Sequence, residues 1–182
     1  KMKYKNIPNA ITIGRIILVP FFILCYYLNI EHWNYYAAAI FIVAALSDMA
    51  DGMIARKYKV VSNIGKFMDP IADKILAMSA LLLLMEWQKL SAWVCIILLG
   101  REFIISGFRL IAASEGVVLA AGPVGKWKTT FQMVGIAMIL LENPIFSVWN
   151  IPMGEILVYI SVVLSIWSCI EYIVQNKNLL KG

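Results

Sequence analysis

The chain has 182 residues, of which 62% are hydrophobic and 15% are charged, and its formal net charge is +5. A soluble domain carries about 25% charged and roughly 45–50% apolar residues, so this composition argues against a soluble fold and predicts an integral membrane protein. The three cysteines form no CxxC or Cys/His spacing. We therefore expect neither a disulfide framework nor a structural zinc site.

Six apolar runs follow one another along the chain, each close to the roughly 20 residues that cross a bilayer as a helix. They are Ile11–Leu28, Tyr35–Ile54, Ile71–Trp87, Ser91–Ala113, Val124–Leu141 and Ile151–Ile173. The connections are short, so residues 1–182 are predicted to form one domain. The expected fold is an all-α integral membrane protein, a bundle of six transmembrane helices with a short interfacial segment at its N-terminus. A cleaved signal peptide is the alternative for the first run, but Arg15 interrupts that run.

The basic residues predict the orientation of this bundle. One side of the membrane, with both termini, collects Lys1, Lys3, Lys5, Arg15, Arg56, Lys57, Lys59, Lys66, Lys126, Lys128, Lys177 and Lys181. The opposite loops hold only Lys89. The positive-inside rule then places both termini in the cytoplasm, in a multi-pass protein of the cell membrane. Topology accounts for the positive charge, so we expect membrane lipids as partners and no nucleic acid.

The first helix begins with the polar stretch "NIPNAITIGR". Asn9, Thr12 and Arg15 recur every three residues there, and together they offer amide, hydroxyl and guanidinium groups to a diphosphate. In the alternative interpretation Asn9 caps the helix and Arg15 extends to the lipid headgroups. The residues alone leave both interpretations open.

Acidic residues are concentrated at the junction of helices two and three. The stretch carries four aspartates, namely Asp48, Asp51, Asp69 and Asp73. The first two fall in the last turns of helix two and the others begin helix three, so the short connection Lys57–Met68 brings both pairs to one cytoplasmic space. Carboxylates crowded in this way repel one another unless cations are bound. Mg²⁺ prefers oxygen ligands, and two such ions form the clamp that activates a phosphate ester.

Three small residues in the same stretch would let a substrate approach the backbone: Gly52, Ala55 and Gly65. Structural interpretations also exist for these positions. Asp69 suits a helix N-cap with Pro70 at the first helical position, Asp73 is a possible ion-pair partner for Arg56, and the small residues suit close helix packing.

Written as Asp48-x₂-Asp51-Gly52-x₂-Ala55-Arg56-x₈-Gly65-x₃-Asp69-x₃-Asp73, the stretch resembles the signature of the CDP-alcohol phosphatidyltransferase family. The resemblance implies that the four aspartates hold two divalent cations, Mg²⁺ or Mn²⁺, on the diphosphate of CDP-diacylglycerol. It implies that Asp73 is also the base that deprotonates the acceptor alcohol. Gly52, Ala55, Arg56 and Gly65 would line the CDP site, and we expect a homodimer.

Helix four contains "GREFIISGFR", with charged residues in an apolar segment where each charge costs at least a few kcal/mol. Arg101 and Glu102 are neighbours in sequence and point in different directions on a helix, so we expect no salt bridge between them. Arg109 follows eight residues after Arg101, which returns it to a similar face. Two arginines along one groove suit a phosphate.

Helix five begins with "GPVGKWKTTFQ", which contributes Lys126 and Lys128. Ordinary positive-inside anchoring is the alternative for both lysines. Together with Arg101 and Arg109 they predict a phosphorylated acceptor. The three polar stretches are most similar to a bacterial branch of the family whose acceptor is sn-glycerol 3-phosphate.

Other acceptors within the family, inositol phosphate or phosphatidylglycerol, remain alternatives. Outside the family, a cation channel or carrier is disfavoured because helices two and three offer almost no polar residues towards the outer face. A structural membrane scaffold leaves the aspartates unexplained.

Overall fold

A computed structural model describes the backbone of residues 7–28, 30–58, 63–114, 117 and 122–176. Side chains are described over the same ranges except at residues 7–11, 48–70 and 73. The described backbone is helical, with α1 Ile7–Tyr27, α2 Trp33–Tyr58, α3 Asn63–Glu86, α4 Ala92–Ser114, α5 Pro123–Leu140, α6 Met153–Gln175 and a short 3-10 helix Phe146–Trp149. No strand occurs within these ranges, so the all-α prediction is confirmed for them.

The start of α3 differs most from the predicted bounds. The helix begins at Asn63, so Asp69 and Pro70 lie inside it and the connection Lys57–Met68 is mostly helical. The interpretation of Asp69 as an N-cap was therefore wrong. Proline suggested a helix start because it needs no N–H partner in the first turn, whereas a helix in a membrane protein also tolerates proline in its interior. The first helix likewise begins at Ile7, ahead of the predicted Ile11.

Two compact units make up the chain, and the prediction of a single domain stays a prediction. The first consists of Lys1–Leu84 with Leu140–Glu142. Here α1 packs against α2, and three alanines of α2 are fully buried: Ala37, Ala38 and Ala44. Such small side chains let two helices approach closely. Phe22 and Phe41, both buried, fill the space beside them with ring centroids 6.2 Å apart.

A side-chain hydrogen bond joins the two chain segments of this first unit. The Nδ2 atom of Asn34, at the start of α2, donates to the carbonyl oxygen of Leu140 at 3.1 Å. Leu140 is the last residue of α5, and the final carbonyls of a helix have no partner within that helix. The buried Asn34 amide therefore satisfies an acceptor that would otherwise be costly to bury.

The second unit consists of Met85–Ile139 and Asn143–Gly182. Its helices α4 and α6 pack together, and α5 meets α6 where two glycines face each other. A Cβ atom added to Gly135 would lie 2.8 Å from the carbonyl oxygen of Gly154, and one added to Gly154 would lie 2.9 Å from that of Gly135. Only glycine at both positions allows the two backbones to come this close.

Asn143 determines where α6 begins. Its Oδ1 atom accepts a hydrogen bond from the backbone N–H of Gly154 at 2.7 Å, and its Nδ2 atom donates to Glu155 Oε2 at 3.2 Å. Asn143 has φ 54°, a left-handed conformation that asparagine tolerates better than most residues. A side chain outside the helix thus provides the cap that Pro152, the residue before α6, does not.

Among the described residues, α6 is the helix long and apolar enough to cross a membrane by length and composition, with a mean hydropathy of 2.0. Shorter apolar stretches occupy Thr12–Tyr27 of α1 and Trp33–Ser47 of α2. The six predicted runs all correspond to helices, while their number as membrane spans stays a prediction.

Candidate functional site

The four aspartates predicted to hold metal all lie in continuous helices. Asp48 and Asp51 belong to α2, and Asp69 and Asp73 belong to α3. Their spacings of three and four residues therefore correspond to about one helical turn in each pair. Their side chains lie outside the described residues, so the metal site and the role of Asp73 as base stay predictions.

Most residues predicted to line the CDP-lipid site also fall outside the described side chains. They are Asn9, Gly52, Ala55, Arg56 and Gly65, and the backbone at each of them is helical. The two members with described side chains, Thr12 and Arg15 of α1, are each only 1% exposed. The burial of Arg15 argues against the alternative in which its side chain extends into the lipid headgroups. Its assignment to the diphosphate stays a prediction.

The charged residues of the second unit meet at Glu102. Lys128 Nζ donates to Glu102 Oε1 at 2.8 Å, and Arg101 Nη1 donates to the same oxygen at 2.9 Å. A further hydrogen bond joins Arg101 Nη2 to Ser168 Oγ at 3.2 Å. We call these four residues the Glu102 cluster. It links α4, α5 and α6 through one carboxylate, one ammonium group and one guanidinium group.

The expectation that Arg101 and Glu102 form no salt bridge was wrong. Adjacent residues on a helix diverge by about 100° at the backbone, but both side chains are long and bend towards a common point. That point is set by Lys128, whose side chain is only 2% exposed. A buried ammonium group needs a carboxylate partner, and Glu102 provides it.

The two lysines of α5 have different surroundings. Lys126 is exposed, whereas Lys128 is buried in the Glu102 cluster. Membrane-surface anchoring therefore does not describe Lys128. Its partner Glu102 was missed as a site residue by sequence reasoning, although a carboxylate in an apolar helix signals that a cation lies nearby.

Arg101 and Arg109 also differ in their contacts. Arg109 is exposed, and its guanidinium carbon lies 6.0 Å from the ring centroid of Tyr172, within the range of a cation–π contact. Arg101 is partly buried, and its Nε atom has no hydrogen-bond partner among the described residues. The prediction that both arginines bind one phosphate stays a prediction.

A glycine leaves room for the Arg101 side chain. A Cβ atom added to Gly125, in the first turn of α5, would lie 3.1 Å from Arg101 Nη2. One carboxylate in the cluster faces two cations, so a positive charge remains after Glu102 is paired. Such a site attracts anions, and the planar guanidinium group suits the oxygens of a phosphate.

Comparisons with known proteins agree with the sequence pattern. The family model described as CDP-alcohol phosphatidyltransferase matches residues 5–167. Three similar proteins bear the name CDP-diacylglycerol–glycerol-3-phosphate 3-phosphatidyltransferase. The one from Haemophilus influenzae is 40% identical over 98% of this chain and 97% of its own. Those from Bacillus subtilis and Escherichia coli K12 are 35% and 38% identical, covering 97% and 92% of this chain and 97% and 93% of their own.

Proposed function

Because the chain belongs to the CDP-alcohol phosphatidyltransferase family, we propose that it transfers the phosphatidyl group of CDP-diacylglycerol to sn-glycerol 3-phosphate. The products are phosphatidylglycerol phosphate and CMP. The observation that carries this proposal is the 35–40% identity, over nearly the whole chain, to relatives whose names state this reaction. The aspartate signature of α2 and α3 supports transfer from a CDP-linked lipid, although it does not specify the acceptor.

Divalent-metal dependence is general in this family. We assign two Mg²⁺ or Mn²⁺ ions to the carboxylates of Asp48, Asp51, Asp69 and Asp73. The donor set fits, since it offers only oxygen ligands and comes from two helices at one-turn spacing. The bound cations would offset the charge on the diphosphate and on the departing CMP.

The other predicted site residues of the first unit position the lipid donor, and Asp73 also removes the proton of the acceptor. Arg56 and the residues Asn9, Thr12 and Arg15 of α1 bind the diphosphate. The small residues Gly52, Ala55 and Gly65 leave space for the nucleotide. Asp73 accepts the proton of the acceptor hydroxyl. The hydroxyl oxygen forms a bond to the phosphatidyl phosphorus as the bond between that phosphorus and CMP breaks.

The acceptor is held by its phosphate group, through Arg101, Arg109, Lys126 and Lys128. The excess positive charge of the Glu102 cluster supports a phosphorylated acceptor. An acceptor that carries no phosphate, such as serine or choline, would bring no phosphate group to offset that charge. Among phosphorylated acceptors, the names of the relatives favour glycerol 3-phosphate over inositol phosphate.

We further propose that the chain is a multi-pass protein of the cell membrane, with both termini and the active site in the cytoplasm, and that it works as a homodimer. Its composition supports the membrane location, and so do large apolar side chains that stay exposed, among them Leu110 and Trp167. Membrane lipids would cover such residues.

The reaction is tested by measuring CMP release from CDP-diacylglycerol with purified protein in detergent and Mg²⁺. Glycerol 3-phosphate, inositol phosphate, serine and phosphatidylglycerol are supplied in separate assays. We expect CMP with glycerol 3-phosphate alone. Chelation by EDTA should abolish it and added Mg²⁺ should restore it, since the aspartates cannot bind the diphosphate without cations. Asp73→Asn should lower kcat by at least about 100-fold, because the base is lost.

Each result other than this one changes a different part of the proposal. CMP released with another acceptor would retain the metal site and overturn the acceptor assignment. Activity that survives EDTA would overturn the metal assignment. No CMP from folded protein with any acceptor would favour the alternative of an ion-binding carrier.

A further inference from the structure

The Glu102 cluster contains a carboxylate that the proposed chemistry does not use. Glu102 lies in α4, in the second unit, and the four metal-binding aspartates are on α2 and α3. Its Oε1 atom nevertheless accepts hydrogen bonds from two of the cations assigned to the acceptor phosphate, Arg101 and Lys128. The role of Glu102 must therefore be sought in what it does to these cations.

Lys128 depends on this carboxylate for its charge. The side chain is 2% exposed, and Glu102 is its ion-pair partner at 2.8 Å. Removing one member of a buried ion pair leaves the other without compensation, and a lysine in that situation loses its proton or moves towards water. A Lys128 ammonium group in its present place therefore requires an ionised Glu102.

Arg101 depends on the same carboxylate for its orientation. One guanidinium nitrogen, Nη1, donates to Glu102 Oε1. The other, Nη2, lies close to Gly125 and donates to Ser168 Oγ. These contacts on two sides fix the plane of the group. The Nε–H of the same group is buried and has no hydrogen-bond partner among the described residues.

The cluster is not sealed off from its surroundings. The side chain of Glu102 is 30% exposed and that of Arg101 is 13% exposed, so the carboxylate and the guanidinium group lie at the edge of the protein interior, whereas the Lys128 side chain is buried. A purely structural ion pair gains nothing from this partial opening. A site that receives a small anion needs it.

We propose that Glu102 is a positioning residue for the phosphate of the acceptor: it fixes the Arg101 guanidinium and the Lys128 ammonium on one oxygen atom. The inference rests on the proposed function and deepens it. Glu102 itself does not touch the phosphate, because two like charges repel. It acts through the two cations, which retain a net positive charge for the ligand.

The test compares Glu102→Gln and Glu102→Asp with the unchanged protein, in the CMP-release assay with Mg²⁺. KM and kcat are measured separately for glycerol 3-phosphate and for CDP-diacylglycerol. For Glu102→Gln we expect the KM for glycerol 3-phosphate to rise about tenfold or more, since a charge-assisted contact holds each cation. The KM for CDP-diacylglycerol should stay within about twofold of the unchanged value.

Glu102→Asp separates position from charge. It keeps the carboxylate that compensates Lys128 but shortens the side chain by one methylene, so the oxygen atom shifts by about 1.5 Å. We expect the KM for glycerol 3-phosphate to rise about threefold or more, because small displacements of binding groups are costly. A merely structural role predicts an unchanged KM in this variant.

Glu171→Gln is the matched control. Glu171 lies on α6 in the same unit, and its carboxylate accepts a hydrogen bond from Gln175 at the protein surface. Both KM values should stay at those of the unchanged protein. KM does not depend on how much of the protein is active, so a variant that folds in low yield still gives a result.

Two outcomes overturn the inference. A KM for glycerol 3-phosphate that is unchanged or lower in either Glu102 variant would show that the carboxylate does not position the cations. A parallel rise in the KM for CDP-diacylglycerol would indicate a general distortion. Absence of CMP release by the unchanged protein would be a failure of the proposed function itself.

Discussion

At the scale of single residues, Glu102 shows how a side chain can be misjudged from its sequence neighbours. Helical geometry correctly says that the backbone directions of Arg101 and Glu102 diverge. It does not include the reach of two long side chains, nor the buried lysine that attracts both. In a poorly solvated place the need to pair a charge outweighs the small cost of bending a flexible side chain.

Gly125 provides a residue-scale prediction. A Cβ atom at this position would lie 3.1 Å from Arg101 Nη2, so Gly125→Ala should displace the guanidinium group by a few tenths of an ångström. Because the end of a flexible side chain yields easily, the protein should still fold. We expect the KM for glycerol 3-phosphate to rise about threefold and the KM for CDP-diacylglycerol to remain unchanged, both from CMP-release kinetics.

The control for this substitution is Gly107→Ala. Gly107 lies in α4, and a Cβ atom there would meet nothing within 4 Å. If both alanine variants changed the KM equally, the effect would come from lost glycine flexibility and the close approach to Arg101 would be irrelevant.

At the scale of elements, the hydrophobic runs located all six helices, but their ends depended on less local information. The length of an apolar run indicates that a helix is present, but it does not show how far the helix extends beyond the run. The first two turns of α3 interrupt the apolar pattern with Gly65, Lys66 and Pro70, so they resembled a connection in the sequence. The cap of α6 comes from Asn143, ten residues before the helix starts, which no local capping rule detects.

The meeting of α5 and α6 provides a prediction at this scale. A Cβ atom on Gly135 would lie 2.8 Å from both the Gly154 carbonyl oxygen and a methyl group of Val158. Backbone cannot yield as a side-chain end does, so Gly135→Ala should destabilise the protein by about 1–3 kcal/mol. Thermal unfolding in detergent measures the change in melting temperature. Gly107→Ala is the control, since it is the same substitution at a position where the added Cβ atom meets no neighbour. Equal melting temperatures for the two variants would contradict the close helix contact.

At the scale of the whole molecule, the distribution of charge predicts how the chain is inserted. Basic residues occur near both termini and where α2 is followed by α3 in the sequence, whereas Lys89 follows α3. Lys89 is exposed, and its ammonium group lies 4.7 Å from the centroid of the Trp87 ring. An aromatic and a basic side chain together are typical of a membrane interface.

Labelling of cysteines in intact cells tests this topology. In a chain whose three native cysteines are replaced by alanine, Lys89→Cys should react with a membrane-impermeant maleimide added outside. Lys3→Cys, the matched control, should react only after the membrane is permeabilised. Labelling of Lys3→Cys from outside would reverse the proposed orientation, because the N-terminal basic residues would then lie on the outer side.

Much of this protein follows from its sequence alone. The helices follow from apolar length and the family from the aspartate spacing, while the basic residues of helices four and five predict a phosphorylated acceptor. These features are encoded by residues close together in the chain, where helical periodicity relates position to direction. The pairing of Lys128 with Glu102, 26 residues apart, and the glycine contact between α5 and α6 were decided only by the tertiary structure. Both contacts depend on which helices pack together and on their relative positions along the helix axes. A single sequence does not specify these distances.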